Sequence, residues 1–313
     1  MNALDRGWQP RRIVVGVDER GLSDHAVAQA GSLSERFDVP VDLVHGVDLG
    51  MLARGVGSMD RYARNAAAHE AAARQAIEAR LNVSINAPLL AERPVRELLT
   101  VRPGKPADVL VEHARDHGAD LIVLGLHQER AVFDFGGTAR SVLANSPCMV
   151  WMQPEPPRPM RRMLVPVEND PSATEVLTVA ASMARAFEAE LTVLHCLEPP
   201  EFAYQAPGPT YVVDELRDSE RRHFEALVDG VAALNDVRVT RHFDDGQPAA
   251  RILEVLGQYD LCLMGTHGRR GLARALLGSQ AYRVLKHAER PVVTLPLKQP
   301  VERPVLTPPP LAL

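Results

Sequence analysis

The chain has 313 residues, of which 46% are hydrophobic, 24% charged and only 4% aromatic. This length is sufficient for two domains, and the composition favours cores of Val, Leu, Ala and Ile, as in parallel sheets covered by helices. The net charge of −5 argues against nonspecific binding to nucleic acid or to an anionic membrane surface.

No targeting or membrane signal is visible along the sequence. The first twelve residues are polar, and no apolar run approaches the roughly 20 residues that span a bilayer. The three cysteines, Cys148, Cys196 and Cys262, each lie in an apolar run, which indicates reduced and buried thiols. We therefore expect a cytoplasmic protein that binds neither a membrane nor nucleic acid.

From residue 13 onwards, short apolar runs alternate with helical patterns. The predicted strands in this part of the chain are 13–17, 41–47, 97–101, 121–124 and 148–152. The predicted helices run from Ser23 or Asp24 to Phe37, over 58–81, and onwards from Pro106, since serine and aspartate favour helix starts and proline is tolerated in a first turn.

A proline-rich segment, 152–160, then interrupts the alternation and predicts a stiff, extended linker. Beyond it, the predicted strands are 163–167, 191–197, 237–243, 261–264 and 291–295. The predicted helices run from Ser172 to Phe187, over 213–234, from Pro248 and from Ser279. This organisation predicts a first domain at 1–152, a linker at 153–160, a second domain at 161–298 and a proline-rich tail at 299–313.

The two parts of the chain are similar to each other. The run that ends in Asp18 resembles the run that ends in Glu168, and the run that ends in His45 resembles the run that ends in His195, each pair 150 residues apart. Three further signals recur in the same order, with offsets of 140 to 144 residues. A repeat of about 140 residues indicates a duplicated domain, and we call its two units the first copy and the second copy. Strand–helix alternation predicts a doubly wound parallel sheet in each.

One loop of the second copy has the chemistry of a phosphate site. Gly265-Thr-His-Gly268 follows the fourth strand, and Gly278-Ser279 opens a helix after nine further residues. Glycines let a backbone approach an anion closely, and a helix N-terminus offers free amides and a positive dipole end. Arg269, Arg270 and Arg274 add positive charge.

The pattern Gly-x2-Gly-x9-Gly-Ser, between a strand and a helix, resembles the ATP-binding signature of universal stress proteins. The resemblance covers nearly the whole chain as two tandem modules. It implies two open, five-stranded parallel sheets with strand order 3-2-1-4-5, helices on both faces and a Rossmann-like adenine-nucleotide fold. It also implies contacts to ATP, ADP or AMP, with Mg²⁺ as an option. Those contacts would come from Pro166, Val167, Glu168, Cys196, Met264, Gly265, His267, Gly268, Gly278, Ser279, Gln280 and Ala281.

Two departures from the family pattern bear on this expectation. Glu168 stands where the family usually has aspartate, so contacts to the base or ribose are altered. The first copy has Gln128 in place of the second glycine, one residue fewer in the loop, and acidic residues in place of the arginines. A weaker site at Asp18, Gly125, Gly137 and Thr138 and a structural copy without ligand both stay open.

Three functions remain open from the sequence. The first is a regulatory nucleotide-binding protein of the stress response, the second a ligand-free interaction scaffold, and the third a slow, metal-dependent ATPase. We expect no catalytic residue and no resident metal site, because no nucleophile–base spacing or ligand cluster is visible. The apolar last strands predict pairing of the two copies within one chain, and a homodimer is a further option.

Overall fold

The computed structural model describes residues 8–48, 59–84, 93–125, 136–198, 211–266 and 277–297. Ten strands form one sheet. They are β1 (Ile13–Gly16), β2 (Val41–Val47), β3 (Leu99–Pro103), β4 (Leu121–Gly125), β5 (Met149–Gln153), β6 (Arg162–Pro166), β7 (Glu190–Leu197), β8 (Val239–Asp245), β9 (Leu261–Gly265) and β10 (Val292–Leu295).

Helices cover both faces of this sheet. They are α1 (Asp24–Phe37), α2 (Met59–Ser84), α3 (Val95–Leu98), α4 (Pro106–Asp116), α5 (Gly137–Asn145), α6 (Ala173–Phe187), α7 (Tyr211–Asp229), α8 (Pro248–Leu256) and α9 (Ser279–His287), with a short 3₁₀ helix at Ala232–Leu234. None of the helices in the described part of the chain is long and apolar enough to cross a membrane.

The strand order is β3-β2-β1-β4-β5-β10-β9-β6-β7-β8. Within each copy all neighbouring strands are parallel, and each copy has the order 3-2-1-4-5. The predicted α/β fold class and strand order are therefore confirmed, but the two predicted five-stranded sheets are joined into one sheet of ten strands. The inner strands are short and almost wholly buried because helices lie on both faces, whereas the edge strand β8 has no buried residue.

The last strands of the two copies are neighbours in the middle of the sheet. β5 and β10 run antiparallel, with Trp151 opposite Val293 and Val150 opposite Thr294. On one face, Trp8 lies with its ring centroid 5.4 Å from Phe37 and 5.5 Å from Phe187, so it contacts both copies. The sheet and its core are continuous across the junction, because each of the two buried clusters contains side chains of both copies.

Several predicted elements differ from the observed ones in their bounds. β3 and β8 begin two residues later than predicted, and the residues before β3 form α3 instead. The predicted helix over 213–234 ends at Asp229 and is followed by the 3₁₀ turn, because Gly230 interrupts it. β5 also extends to Gln153, whose side chain accepts the indole N–H of Trp151 at 2.7 Å and is buried.

The predicted serine caps are wrong in their chemistry, although α1 and α6 begin where expected. The Ser23 hydroxyl accepts the amide of Asp18 at 3.0 Å, which closes the preceding loop. Ser172 has helical backbone angles (φ −69°, ψ −24°), and its hydroxyl donates to Asp170. Neither side chain caps its helix, since each is committed to the strand–helix loop.

Candidate functional site

The carboxyl ends of β6 and β9 form the switch point of the second copy. β6 pairs with β7 on one side and with β9 on the other, and ligands of doubly wound sheets bind at such a point. Val167, just beyond β6, is buried, and its amide donates to the carbonyl of Leu194 at 2.9 Å. The predicted site residues Pro166, Met264 and Gly265 end the two strands.

A histidine fixes the end of the first strand in each copy, buried in the second copy and partly buried in the first. His195 Nδ1 lies 2.9 Å from the carbonyl oxygen of Val167, so the ring donates there. Its ring packs between Phe224 and Phe243, with centroids 5.7 and 5.6 Å away. In the first copy His45 makes the same contact with Val17 at 2.8 Å. The histidine therefore serves strand positioning in both copies.

The described ends of the glycine loop lie together at the edge of the sheet. The amide of Gly278 donates to the carbonyl of Thr266 at 2.8 Å, and the amide of Thr266 donates to Leu295 at 3.0 Å. α9 begins directly afterwards at Ser279, whose side chain is exposed. First-turn amides have no acceptor within their own helix, so the loop presents the N-terminus of α9 at the switch point. His267, Gly268 and the three arginines lie outside the described residues.

Gln280 has a contact that the sequence did not indicate. Its side-chain oxygen accepts the amide of Ala249, in the first turn of α8, at 3.1 Å. Arg283 returns the contact by donating to Gln247 at 2.9 Å. The Gln280 side chain therefore joins α9 to α8. Ala281 is buried beneath it.

Cys196 lies half-buried at the end of β7, beside an ion pair. Arg251 contacts Asp244 at 2.6 Å, and Asp244 is opposite Cys196 in the parallel register of β7 and β8. Burial raises the pKa of the Cys196 thiol to about 12. The negative charge of Asp244 adds to this rise, and the positive charge of Arg251 opposes it. The thiol is therefore neutral, so we expect it to contribute packing to the site and no chemical reactivity.

The acidic residues after the first strands have different roles in the two copies. In the first copy, Asp18 accepts the amides of Arg20 at 2.6 Å and Leu22 at 3.3 Å, which folds the strand–helix loop over itself. In the second copy, Asp170 closes the loop by accepting the amide of Ser172 at 2.8 Å. Glu168, at the position of Asp18, is exposed.

Backbone closes the corresponding cleft of the first copy. A Cβ at Gly125 would lie 2.3 Å from the carbonyl oxygen of Leu22, because the loop after β1 lies directly against the end of β4. Gly46, at the position of Cys196, is also covered: its Cβ would lie 2.6 Å from Cα of Pro106. Both glycines are therefore explained by packing between backbones.

An arginine of α2 adds to this closure. Arg80 donates to the carbonyl of Asp18 at 2.8 Å and forms an ion pair with Asp24. Its side chain is only 15% exposed. Arg80 thus places a positive charge beside Asp18 in the loop after β1. Gly137 and Thr138, the other two residues of the predicted weaker site, are exposed in the first turn of α5.

Among the described residues, no group of three or more His, Cys, Asp or Glu side chains could hold a metal ion. The model of the universal stress protein family matches residues 10–154 and 159–296. The chain belongs to this family.

Relatives support the tandem arrangement of this universal stress protein. One from Mycolicibacterium smegmatis is 28% identical over 296 residues, which cover 90% of this chain and 96% of the relative. One from Methanocaldococcus jannaschii is 31% identical over 138 residues, covering 43% of this chain and 81% of the relative. The structure of a universal stress protein from Archaeoglobus fulgidus has a TM-score of 0.60 at 16% identity, covers 92% of this chain and 99% of that one, and shows the same fold.

Sequence patterns missed several residues of this universal stress protein that shape the two switch points. They are Leu22, Arg80, Asp170, Asp244 and Leu297. Only Asp170 carried a local signal, since an aspartate two residues before a serine favours a closed turn. Leu22, Arg80 and Leu297 act on partners that are distant in sequence.

Proposed function

We propose that this universal stress protein is a regulatory adenine-nucleotide-binding protein of the stress response, and that the second domain, within 161–298, binds ATP. The observation that carries the proposal is the hydrogen bond from Gly278 to Thr266. It holds the start of α9 at the switch point, beside the end of β6. A helix N-terminus at this place suits a phosphate group.

The described residues fit such a ligand in chemistry. The backbone amides of Ser279, Gln280 and Ala281 belong to the first turn of α9 and suit phosphate oxygens. Val167 and Cys196 lie at strand ends next to the cleft, where they would border a base or sugar. The amide and the carbonyl of Val167 are already paired with Leu194 and His195, so Val167 would contribute packing. Glu168 is exposed at the rim, where a carboxylate suits a ribose hydroxyl. Mg²⁺, if it accompanies ATP, would neutralise phosphate charge, and His267 and Gly268 complete the proposed set.

The same reasoning assigns the first domain, within 1–152, a structural role. Its cleft is closed by the backbone of Leu22, and Arg80 balances Asp18 and Asp24 from within the chain. A triphosphate would have to displace backbone and a half-buried ion pair, which costs more than moving a side chain. We therefore propose one nucleotide per chain.

The proposal is tested by isothermal titration of the full chain with ATP and MgCl₂. Gly278→Ala introduces a methyl group at the start of α9, and we expect it to weaken binding at least about tenfold, equivalent to about 1.4 kcal/mol. Gly137→Ala, at the first helical residue of α5 in the first copy, is the control and should bind like the wild type. The stoichiometry should be one.

The alternatives give different results. No binding at millimolar ATP, with no nucleotide co-purifying, would support the ligand-free scaffold and refute the proposal. Steady metal-dependent phosphate release that is lost in Gly268→Ala would support the slow ATPase. Two bound nucleotides per chain would refute the structural role of the first domain while leaving that of the second intact.

A further inference from the structure

Leu297 fills the space over Gly265 in the second copy. A Cβ at Gly265 would lie 2.6 Å from Cδ1 of Leu297 and 3.6 Å from Cγ2 of Val176. Leu297 follows β10 by two residues, is half-buried, and packs against the core on the α6 face of the sheet. The space beside Gly265 that a Cβ would take is therefore covered by the side chain of Leu297.

The first copy fills the equivalent space in a different way. There the carbonyl oxygen of Leu22 lies where a Cβ of Gly125 would be, and Cα of Ser23 is 3.1 Å from that point. This loop is fixed by hydrogen bonds, since Asp18 accepts the Leu22 amide and donates its own amide to Ser23. Opening the first cleft requires the loop to refold, whereas opening the second requires one leucine to change rotamer.

From this difference we infer that Leu297 is the affinity-determining residue of the second cleft, and that a nucleotide must displace its side chain to contact Gly265. The inference rests on the proposed function, because it concerns the same site. Leu297 occupies the side of Gly265 on which other residues carry a Cβ. A ligand that approaches Gly265 from that side therefore competes with Leu297. Because Leu297 is only half-buried, changing its rotamer costs only part of the free energy of exposing a leucine to water, so the competition is reversible.

The competition predicts a change in apparent affinity with a definite sign. When only a fraction of molecules is competent to bind, the apparent Kd rises by the inverse of that fraction. If Leu297 covers Gly265 in nine molecules of ten, removing its side chain lowers the apparent Kd about tenfold. A shorter side chain that still reaches Gly265 should give an intermediate value.

The experiment is isothermal titration with Mg·ATP on four full-length proteins: wild type, Leu297→Val, Leu297→Ala and Leu22→Ala. We expect Kd to fall in the order wild type, Val, Ala, by about threefold to tenfold overall. Leu22→Ala is the matched control, because its contact with Gly125 is made by the backbone, which the substitution leaves in place. Urea unfolding of each variant establishes that it is folded at the titration temperature.

Each outcome separates this inference from the proposed function. If the wild type binds and Leu297→Ala binds equally or more weakly, the inference is wrong and the proposed function stands. If the wild type does not bind but Leu297→Ala does, both are supported. If none of the four proteins binds ATP, the proposed function fails and the inference fails with it.

Discussion

Glu155 and Arg290 form an ion pair across the junction of the two copies. Arg290 Nη1 lies 3.1 Å from both carboxylate oxygens of Glu155, and the side chains are only 24% and 17% exposed. Glu155 follows β5 and Arg290 precedes β10, so the pair lies at one end of the antiparallel ladder. The guanidinium of Arg140, in α5 of the first copy, lies 5.6 Å from the ring centroid of Tyr282, in α9 of the second. Polar contacts between the copies thus accompany the pairing of β5 with β10, and we expect this pairing to hold the two copies together.

A double-mutant cycle on Glu155→Gln and Arg290→Gln tests this pairing in solution. We expect a coupling energy of about 1 kcal/mol in urea unfolding, because the pair is half-buried and two hydrogen bonds hold it. Arg158, 41% exposed and paired with the same glutamate at 2.6 Å within the linker, is the control and should give less than about 0.5 kcal/mol. Zero coupling between Glu155 and Arg290 would show that this ion pair adds nothing to the stability of the junction.

His195→Phe tests the strand-positioning role of the histidine. The substitution keeps a ring between Phe224 and Phe243 but leaves the carbonyl of Val167 without its imidazole donor. We expect a loss of about 1–3 kcal/mol in the free energy of unfolding, the cost of an unsatisfied buried acceptor. His195→Ala should cost more, about 3–5 kcal/mol, because a cavity is added. Equal unfolding midpoints for His195→Phe and the wild type would exclude the role.

Alanine at Gly125 and at Gly265 should have different effects on stability. The new methyl group would meet the Leu22 carbonyl at Gly125 but only the tip of Leu297 at Gly265. We expect Gly125→Ala to cost about 1–3 kcal/mol and Gly265→Ala less than about 1 kcal/mol, measured by urea unfolding. In a Leu297→Ala background, Gly265→Ala should cost nothing further. A larger loss at Gly265 than at Gly125 would contradict the packing described for both glycines.

Stability should fall below about pH 4 because of carboxylates in the first copy. Burial alone would raise the pKa of Asp42, but His113 and Arg12 outweigh it and lower that pKa overall. A carboxylate with a lowered folded pKa stabilises the protein above its unfolded value, and this contribution is lost as the pH falls through the folded pKa.

The test is chemical unfolding between pH 5 and about pH 2. Asp42→Asn should flatten the acid-side decline in the free energy of unfolding, since the titrating group is gone. Asp116→Asn, at an exposed aspartate at the end of α4, is the control and should follow the wild-type curve. A wild-type slope retained by Asp42→Asn would show that other groups cause the decline.

The three thiols should react slowly with a disulfide reagent while the protein is folded. Burial raises the pKa of Cys148 to about 11 and that of Cys262 to about 12, and Cys196 has a pKa of about 12. At pH 8 a thiol of pKa 11 is only about 0.1% thiolate, the reactive form. Ellman's reagent should therefore release little colour from the native protein and the equivalent of three thiols in urea. Rapid reaction in the native state would contradict the burial.

Much of the fold could be predicted because its signals are local. The run 41–47 became β2 residue for residue, and α1 ends at Phe37 as the hydrophobic pattern indicates. A buried parallel strand needs only a short apolar run, and a covering helix needs only its periodicity. The repeat then identified the same domain twice, and the strand order came from the resemblance to the universal stress protein family.

Only the tertiary structure decided how the two copies differ. Leu22 closes one cleft with backbone and Leu297 covers the other with a side chain, although Gly125 and Gly265 look equivalent in sequence. Arg80 donates to the carbonyl of Asp18 although 62 residues separate the two in sequence. The sequence around Arg80 does not distinguish it from an exposed arginine of a helix. Such contacts depend on how elements approach one another in space, and a local pattern carries no information about that approach. The sequence by itself therefore determined the family and the position of the glycine loop. Packing between distant elements determined that the first cleft is closed by backbone and the second is covered by a single side chain.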